Sequence, residues 1–330
     1  MTSTSLVIDF HVHALEPEVF KRSTNKTVFT GFGAHPVAEP RPGAKALMDR
    51  MFHPELIIED MDARGIDMSV VTSSTVLQGT SWAEAELDHA LCQRCNDQVA
   101  TWVSMYPLRI VGSMVLPMQD LDKSLQELRR ANHELGLRVV NVSSSYQGVY
   151  LGDSRFNAFW DEVAARDLTV WVHPEGVDDP WFQNFGLWNS LGQSIEETKC
   201  MASLIYNGVM ARHPNLKVVM AHGGGYFPHY LGRIDRNAVN RPDTVKYLEG
   251  KSPRDFLTRF YYDTCVYDPR VLRVLVDLVG VDRLVMGSDY PVGEKDPVQW
   301  LQQAGLQGHA LKAVAGGNAA KLLNIQAARA

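Results

Sequence analysis

The sequence predicts an α/β protein, a (β/α)8 TIM barrel, and three observations predict it. Eight short runs of apolar, strand-forming residues recur along the chain, separated by helix-sized intervals. Most of these runs are apolar throughout instead of alternating, as parallel strands buried on both faces are. Eight β/α units also fit the 330 residues available. A doubly wound sheet is the competing architecture. It wants a glycine-rich phosphate turn after its first strand, where this chain has His11-Val12-His13-Ala14.

The first run, residues 6–13, ends in two histidines. Residues 14–53 follow, rich in Gly and Pro, and read as an irregular insertion of the length that carries function as a lid or substrate loop. Residues 54–62 form an amphipathic pattern that stops near Gly65, and 68–72 make the second strand. A helix over 83–105 then leads to a strand at 110–116. A helix over 120–135 leads to 137–142, and one over 157–165 leads to 168–173. The helix 195–211 precedes the sixth strand, 216–222, and shorter helical pieces bring the chain to 260–264. A helix at 271–279 and a strand at 284–289 complete the set. No repeat, low-complexity segment or shift in composition marks a second domain. Residues 1–330 therefore read as a single domain with a loop insertion at 14–53 and C-terminal helices from 297.

With 45% hydrophobic and 21% charged residues, the composition is that of a globular protein able to bury a sizeable core. The net charge of -6 gives no basic field to draw nucleic acid or an anionic membrane, so an anionic substrate needs locally placed arginines. No stretch approaches the length of a bilayer span, and Met1-Thr2-Ser3-Thr4-Ser5 lacks a basic leader, which points to the cytoplasm. Four cysteines are too few for a disulfide framework. Cys92 and Cys95 share one face of a helical pattern and read as packing residues, since no second pair completes a zinc site.

Polar residues at strand ends are the ones to collect, because a TIM barrel keeps its active site at the carboxyl ends of its strands. His11 and His13, two apart on a strand, point to one face and can close on one ion. Strand five ends in His173, strand six in His222 and strand eight in Asp289. Buried imidazoles are costly unless a metal or hydrogen bonds satisfy them, so the five together predict a metal site. Imidazole with one carboxylate suits Zn, Mn, Fe or Co, with zinc first, and not the all-oxygen shells of Ca or Mg. Strand four offers Asn141 and no lysine, so a carbamylated bridge between two metals is not expected. One divalent ion with an open coordination position is.

His11-Val12-His13, Val172-His173-Pro174, Ala221-His222-Gly223-Gly224-Gly225-Tyr226-Phe227-Pro228 with Gly232-Arg233, and Gly287-Ser288-Asp289-Tyr290-Pro291 resemble, in order, the motifs of the amidohydrolase-related metal-dependent family. The likeness runs over nearly the whole chain and is greatest for the decarboxylase branch. It includes Met61-Asp62, Leu116-Pro117-Met118-Gln119 and Gly317-Asn318-Ala319. It implies that His11, His13, His173 and Asp289 hold the metal, and that His222 stays off it and handles protons. It further implies that Arg241 binds a substrate carboxylate from a neighbouring subunit, hence at least a homodimer. A second basic residue would come from the first loop, where Arg41, Lys45 and Arg50 are candidates and Arg50 is preferred.

Two segments depart from the decarboxylase pattern: Val292-Gly293-Glu294 after the last motif, and Glu175-Gly176 where that branch carries a tryptophan and an aspartate. Both border the expected pocket, so they bear on the substrate and not on the metal. The expected activity is non-oxidative decarboxylation of a small unsaturated or aromatic carboxylic acid without an organic cofactor. A metal-dependent hydrolase or hydratase acting on a ring-cleavage product is the alternative on the same scaffold.

Overall fold

Alternate residues of the barrel strands are buried against different partners. In strand four Val140 and Val142 join Val170 and Val172 of strand five in a large cluster with helix residues such as Leu128, Trp160 and Leu204. Val139 and Trp171, of the opposite parity, pack inside the barrel with Ile8, Phe10 and Val219. A strand with two apolar neighbours has no polar face to show, which is why the runs are apolar throughout. The same parity turns Asn141 and His173 inward.

The computed structural model describes residues 6–23, 43–177 and 179–325. The eight barrel strands are Ile8–Ala14, Met68–Ser73, Ile110–Val115, Val139–Val142, Thr169–Val172, Lys217–Met220, Phe260–Asp263 and Leu284–Val285, hydrogen-bonded in that order and parallel throughout. The last strand returns to the first through backbone bonds from Phe10 N to Met286 O (2.8 Å), from Tyr290 N to His11 O (3.0 Å) and from His13 N to Tyr290 O (3.0 Å). Those bonds remove the sheet edges.

Helices cover the strands where their terminal signals place them. Helix Pro54–Arg64 starts with Pro at its first position and stops at Gly65 with φ +67. Asp120, Asp268 and Asp296 accept a backbone N–H at the starts of Leu121–His133, Pro269–Val279 and Pro297–Gln303. Helix Ala85–Met105 buries both Cys92 and Cys95 as packing residues. The C-terminal helix Asn318–Leu322 sets Ala319 and Leu322 against Ile8, Phe10 and Val285, and Thr169 Oγ1 bonds Leu322 O at 3.4 Å. The tail thus closes the amino ends of the strands.

Two expectations need correction, and one element is new. The segment after strand one is not irregular where it is described, because it holds the helices Pro17–Arg22 and Ala44–Phe52. Glu16 caps the first of these through its side chain, a signal that the surrounding Gly and Pro content hides. Residues 24–42, with Arg41, lie outside the described residues. The helix expected over 195–211 runs instead from Gln193 to Tyr206 and restarts at Val209, with Gly208 at φ +76 breaking it. Between strands four and five, Ser145–Tyr146 pairs with Val149–Tyr150 in a short hairpin that the apolar pattern does not announce.

Candidate metal centre

Strand one delivers His11 and His13 side by side at the carboxyl end of the barrel, and the parity of strand five delivers His173. All three are buried. His11 Nε2 lies 3.2 Å from His13 Nε2, and Asp289 Oδ1 lies 3.1 Å from the latter and 3.3 Å from the former. Donors held about 2.1 Å from one ion at angles of roughly 90–110° stand about 3.0–3.4 Å apart, so these separations are those of donors to a shared cation. The donor atoms of His11, His13 and His173 all lie within 4.8 Å of one another, as do those of His11, His222 and Asp289.

Outer partners set which nitrogen faces inward. His11 Nδ1 donates to Asp263 Oδ2 at 2.7 Å, and His173 Nδ1 donates to Pro174 O at 2.9 Å, which leaves Nε2 of each as a lone pair toward the centre. Asp263 also accepts from the backbone N–H groups of Gly223 and Cys265. Burial lowers the pKa of His13, and lowers that of His173 further, so both favour the neutral form a metal ligand needs. Trp171 lies beneath, edge-on to His11 with ring centroids 4.6 Å apart. Below the imidazoles, buried Asp9 accepts from Ser288 N and His11 N and from the Ser288 hydroxyl, tying the first and last strands; burial raises its pKa. The donor types, their spacing and the inward lone pairs fit one divalent ion. His13 Nδ1 is buried with no hydrogen-bond partner among the described residues.

His222 stands differently. It follows strand six in a turn where His222, Gly223, Gly224 and Gly225 all have positive φ. At Gly225 a Cβ would come 2.1 Å from Ser194 O, so glycine is required there by space as well as by φ +62. Close packing of this turn on helix Gln193–Tyr206 brings Glu197, wholly buried, to 2.5 Å from His222 Nδ1. Burial raises the pKa of the Glu197 carboxyl above its ordinary value, against the pull of His222. Burial also disfavours the His222 imidazolium, but the Glu197 carboxylate outweighs it and raises the His222 pKa above the ordinary imidazole value. His222 Nε2 faces Asp289 Oδ2 at 3.9 Å.

The arginines of the sequence reading lie on the outer elements. Arg50, on helix Ala44–Phe52, pairs with Asp60, which also accepts from the Tyr290 hydroxyl at 2.6 Å. Hydrogen bonding with Tyr290 is the largest contribution to its raised pKa. Arg241 is exposed at the end of helix Leu231–Asn240, and Lys45 is exposed on the same helix as Arg50. Beside His173 lies a small cavity, lined by Ser73, Thr75, Asn141, Ser143, Tyr146 and Glu175 among others. Asn141 Nδ2 bonds Ser73 O, and its buried Oδ1 has no hydrogen-bond partner among the described residues.

Asp263, Glu197 and Tyr267, whose hydroxyl donates to Asp289 Oδ2 at 2.7 Å, are site residues that sequence reasoning missed. Asp263 could have been found, since it ends strand seven as the other polar residues end theirs. Glu197, 25 residues before its partner, has no sequence signal, and neither has the loop residue Tyr267.

An eight-stranded parallel barrel with imidazole and carboxylate donors gathered at its carboxyl end defines the class: a barrel enzyme with a candidate site for a divalent metal. The model of the amidohydrolase family matches residues 8–325, and the chain belongs to that family. It is 32% identical, over 97% of its length and 92% of the relative's, to 2-amino-3-carboxymuconate-6-semialdehyde decarboxylase of Dictyostelium discoideum. It is 23% identical over 68% of its length, and 66% of the relative's, to 2-keto-4-carboxy-3-hexenedioate hydratase of a Sphingobium strain. A dihydroxybenzoic acid decarboxylase from Polaromonas sp. JS666, with bound manganese and the inhibitor 2-nitroresorcinol, superposes with a TM-score of 0.84. That pair is 22% identical and covers 99% of this chain and 98% of the other.

Proposed function

We propose that this enzyme is a metal-dependent, non-oxidative decarboxylase of a small unsaturated or aromatic carboxylic acid. The observation that carries the reading is the cluster of His11 Nε2, His13 Nε2 and Asp289 Oδ1 at 3.1–3.3 Å separations, with His222 beside it and anchored by Glu197. In this reading His11, His13, His173 and Asp289 hold one divalent transition ion, zinc by the preference of three imidazoles and one carboxylate. When bound, that ion supplies a Lewis acid that draws the substrate's oxygens and stabilises developing negative charge. His222 moves the proton. The bond from the ring or chain carbon to the carboxyl carbon breaks, its electron pair stays on the substrate carbon, and the proton from Nε2 of the imidazolium replaces the departing carbon dioxide. Glu197 holds Nδ1 through that exchange and fixes the direction of Nε2.

Arg50 and Arg241 are assigned to the substrate carboxylate, through charge-assisted hydrogen bonds, with Arg241 reaching the site of a second copy in a homodimer. Residues 1–330 act as one unit, in which the 14–53 segment selects the substrate. Free, buried cysteines support a cytoplasmic enzyme, and among the described residues no helix is long and apolar enough to cross a membrane. The hydratase relative favours a second reading, addition of water to a ring-cleavage product.

The test is reconstitution with zinc or manganese, metal analysis, and assay of hydroxybenzoates and carboxymuconate-type acids. One ion per chain and release of carbon dioxide from an acid in the panel are expected. A product heavier by one water, with no carbon dioxide released, would replace decarboxylation by hydration. Failure to retain any ion would sink the metal-centre reading.

A further inference from the structure

Strands six, seven and eight lead into residues with the same uncommon backbone. His222, Tyr267 and Asp289 have φ of 46, 52 and 57. Left-handed backbone is rare for a residue with a bulky side chain, and it persists where surrounding contacts hold it, often in functional sites. His222 and Asp289 belong to the proposed machinery. Tyr267 is the third of the set, and no motif gives it a role.

Tyr267 is 48% exposed at the carboxyl end of the barrel, yet its hydroxyl is committed, donating to Asp289 Oδ2 at 2.7 Å. The two oxygens of Asp289 are thereby divided. Oδ1 faces the imidazoles of His11 and His13, while Oδ2 faces Tyr267 and, at 3.9 Å, His222 Nε2. The backbone opposite is cleared for this contact. A Cβ on Gly293 would lie 2.6 Å from the Tyr267 hydroxyl oxygen and 2.2 Å from Ser288 O, so a larger residue there would push the phenol away.

We propose that Tyr267 is a positioning residue: its hydroxyl holds Asp289 by Oδ2, presenting Oδ1 alone to the metal site and keeping the carboxylate from closing on His222. An O–H donor occupies one oxygen of a carboxylate and fixes the rotation of the group. Without it, Asp289 can turn both oxygens toward a cation, or move Oδ2 onto His222 Nε2 and tie up the imidazole that carries the proton. Tyr267 therefore acts on two functions through one carboxylate. This inference rests on the metal-centre reading above.

The test is Tyr267→Phe, which keeps the ring and deletes only the hydroxyl. Ion affinity of the full chain is measured by competition with a chromophoric chelator, a readout that needs no substrate, and kcat and KM are measured separately on the reconstituted enzyme. Ion affinity is expected to fall by about 10–100-fold, the effect usual for loss of an outer partner of a ligand, with kcat falling more than KM changes. In an Asp289→Asn background the same substitution should add little to the loss of ion affinity, because the two act through one contact. An affinity and kcat both within about twofold of the parent would overturn the role of Tyr267 alone. A parent chain that takes up no ion after reconstitution would overturn the metal-centre reading and this inference with it.

Discussion

Toward the amino ends of the strands, Ile8, Phe10, Val139 and Val285 close on Ala319 and Leu322 in an apolar cluster, whereas at the carboxyl ends His11, His13, His173, His222 and Asp289 converge. The apolar end needs only volume and area, because burial of hydrocarbon is non-directional. The polar end needs a partner for nearly every atom: Asp263 for His11, Pro174 O for His173, Glu197 for His222, Tyr267 for Asp289. Its needs are not all met, since among the described residues His13 Nδ1 and Glu197 Oε2 are buried without partners and three residues hold left-handed backbone. Groups of that kind cost about 1–3 kcal/mol each. The amino end and the helical shell supply the stability that the carboxyl end gives up. Catalytic geometry and stability are therefore kept at opposite ends of the same strands.

Mutations should separate the two ends. The largest effect is expected from His173→Ala, which should reduce bound metal and turnover to background while circular dichroism and the cooperative unfolding transition remain; loss of the fold itself would show that the ends are not independent. His222→Ala should lower kcat by about 10²–10⁴-fold with metal content unchanged. Metal lost in that variant would make His222 a ligand instead of a proton carrier. At the other end, Leu322→Ala should cost about 2–5 kcal/mol in urea unfolding and leave kcat per folded molecule unchanged.

The smallest effect belongs to the outer shell. Hydrogen bonds from Arg129, then Arg166, lower the pKa of Glu162 to about 2 from 4.5. A carboxyl depressed in the folded state adds stability that is fully present above about pH 4.5 and lost as pH falls toward 2. Glu162→Gln should therefore cost about 1 kcal/mol or less at pH 7, as exposed pairs do, with the difference from the parent shrinking below pH 4 in denaturant titrations. A difference that grew in acid would contradict the assignment.

Much of the fold was legible because burial on both faces leaves runs such as Val139-Val140 and Val170-Trp171-Val172 without polar interruption. A histidine or aspartate at the end of such a run then stands out, as His173, His222 and Asp289 do. Asp263, at the end of strand seven, obeys the same rule. Glu197 was not legible at all, because it sits on the buried face of a helix beside Glu196 and Gln193, and nothing local distinguishes it from them. The hairpin at 145–150 and the helices at 17–22 and 44–52 were hidden by short length and by neighbouring Gly and Pro.

The sequence by itself determined the order of strands, the parity that turns His173 and Asn141 inward, and the types of donor at the strand ends. These follow from local periodicity, which a single strand carries within its own few residues. Only the tertiary structure decided which nitrogen of each imidazole faces the centre, which oxygen of Asp289 is free, and that Glu197 and Tyr267 belong to the site. Those choices depend on hydrogen bonds between residues far apart in the chain, His11 with Asp263 and His222 with Glu197. Such bonds form only when the closed barrel brings its carboxyl ends together.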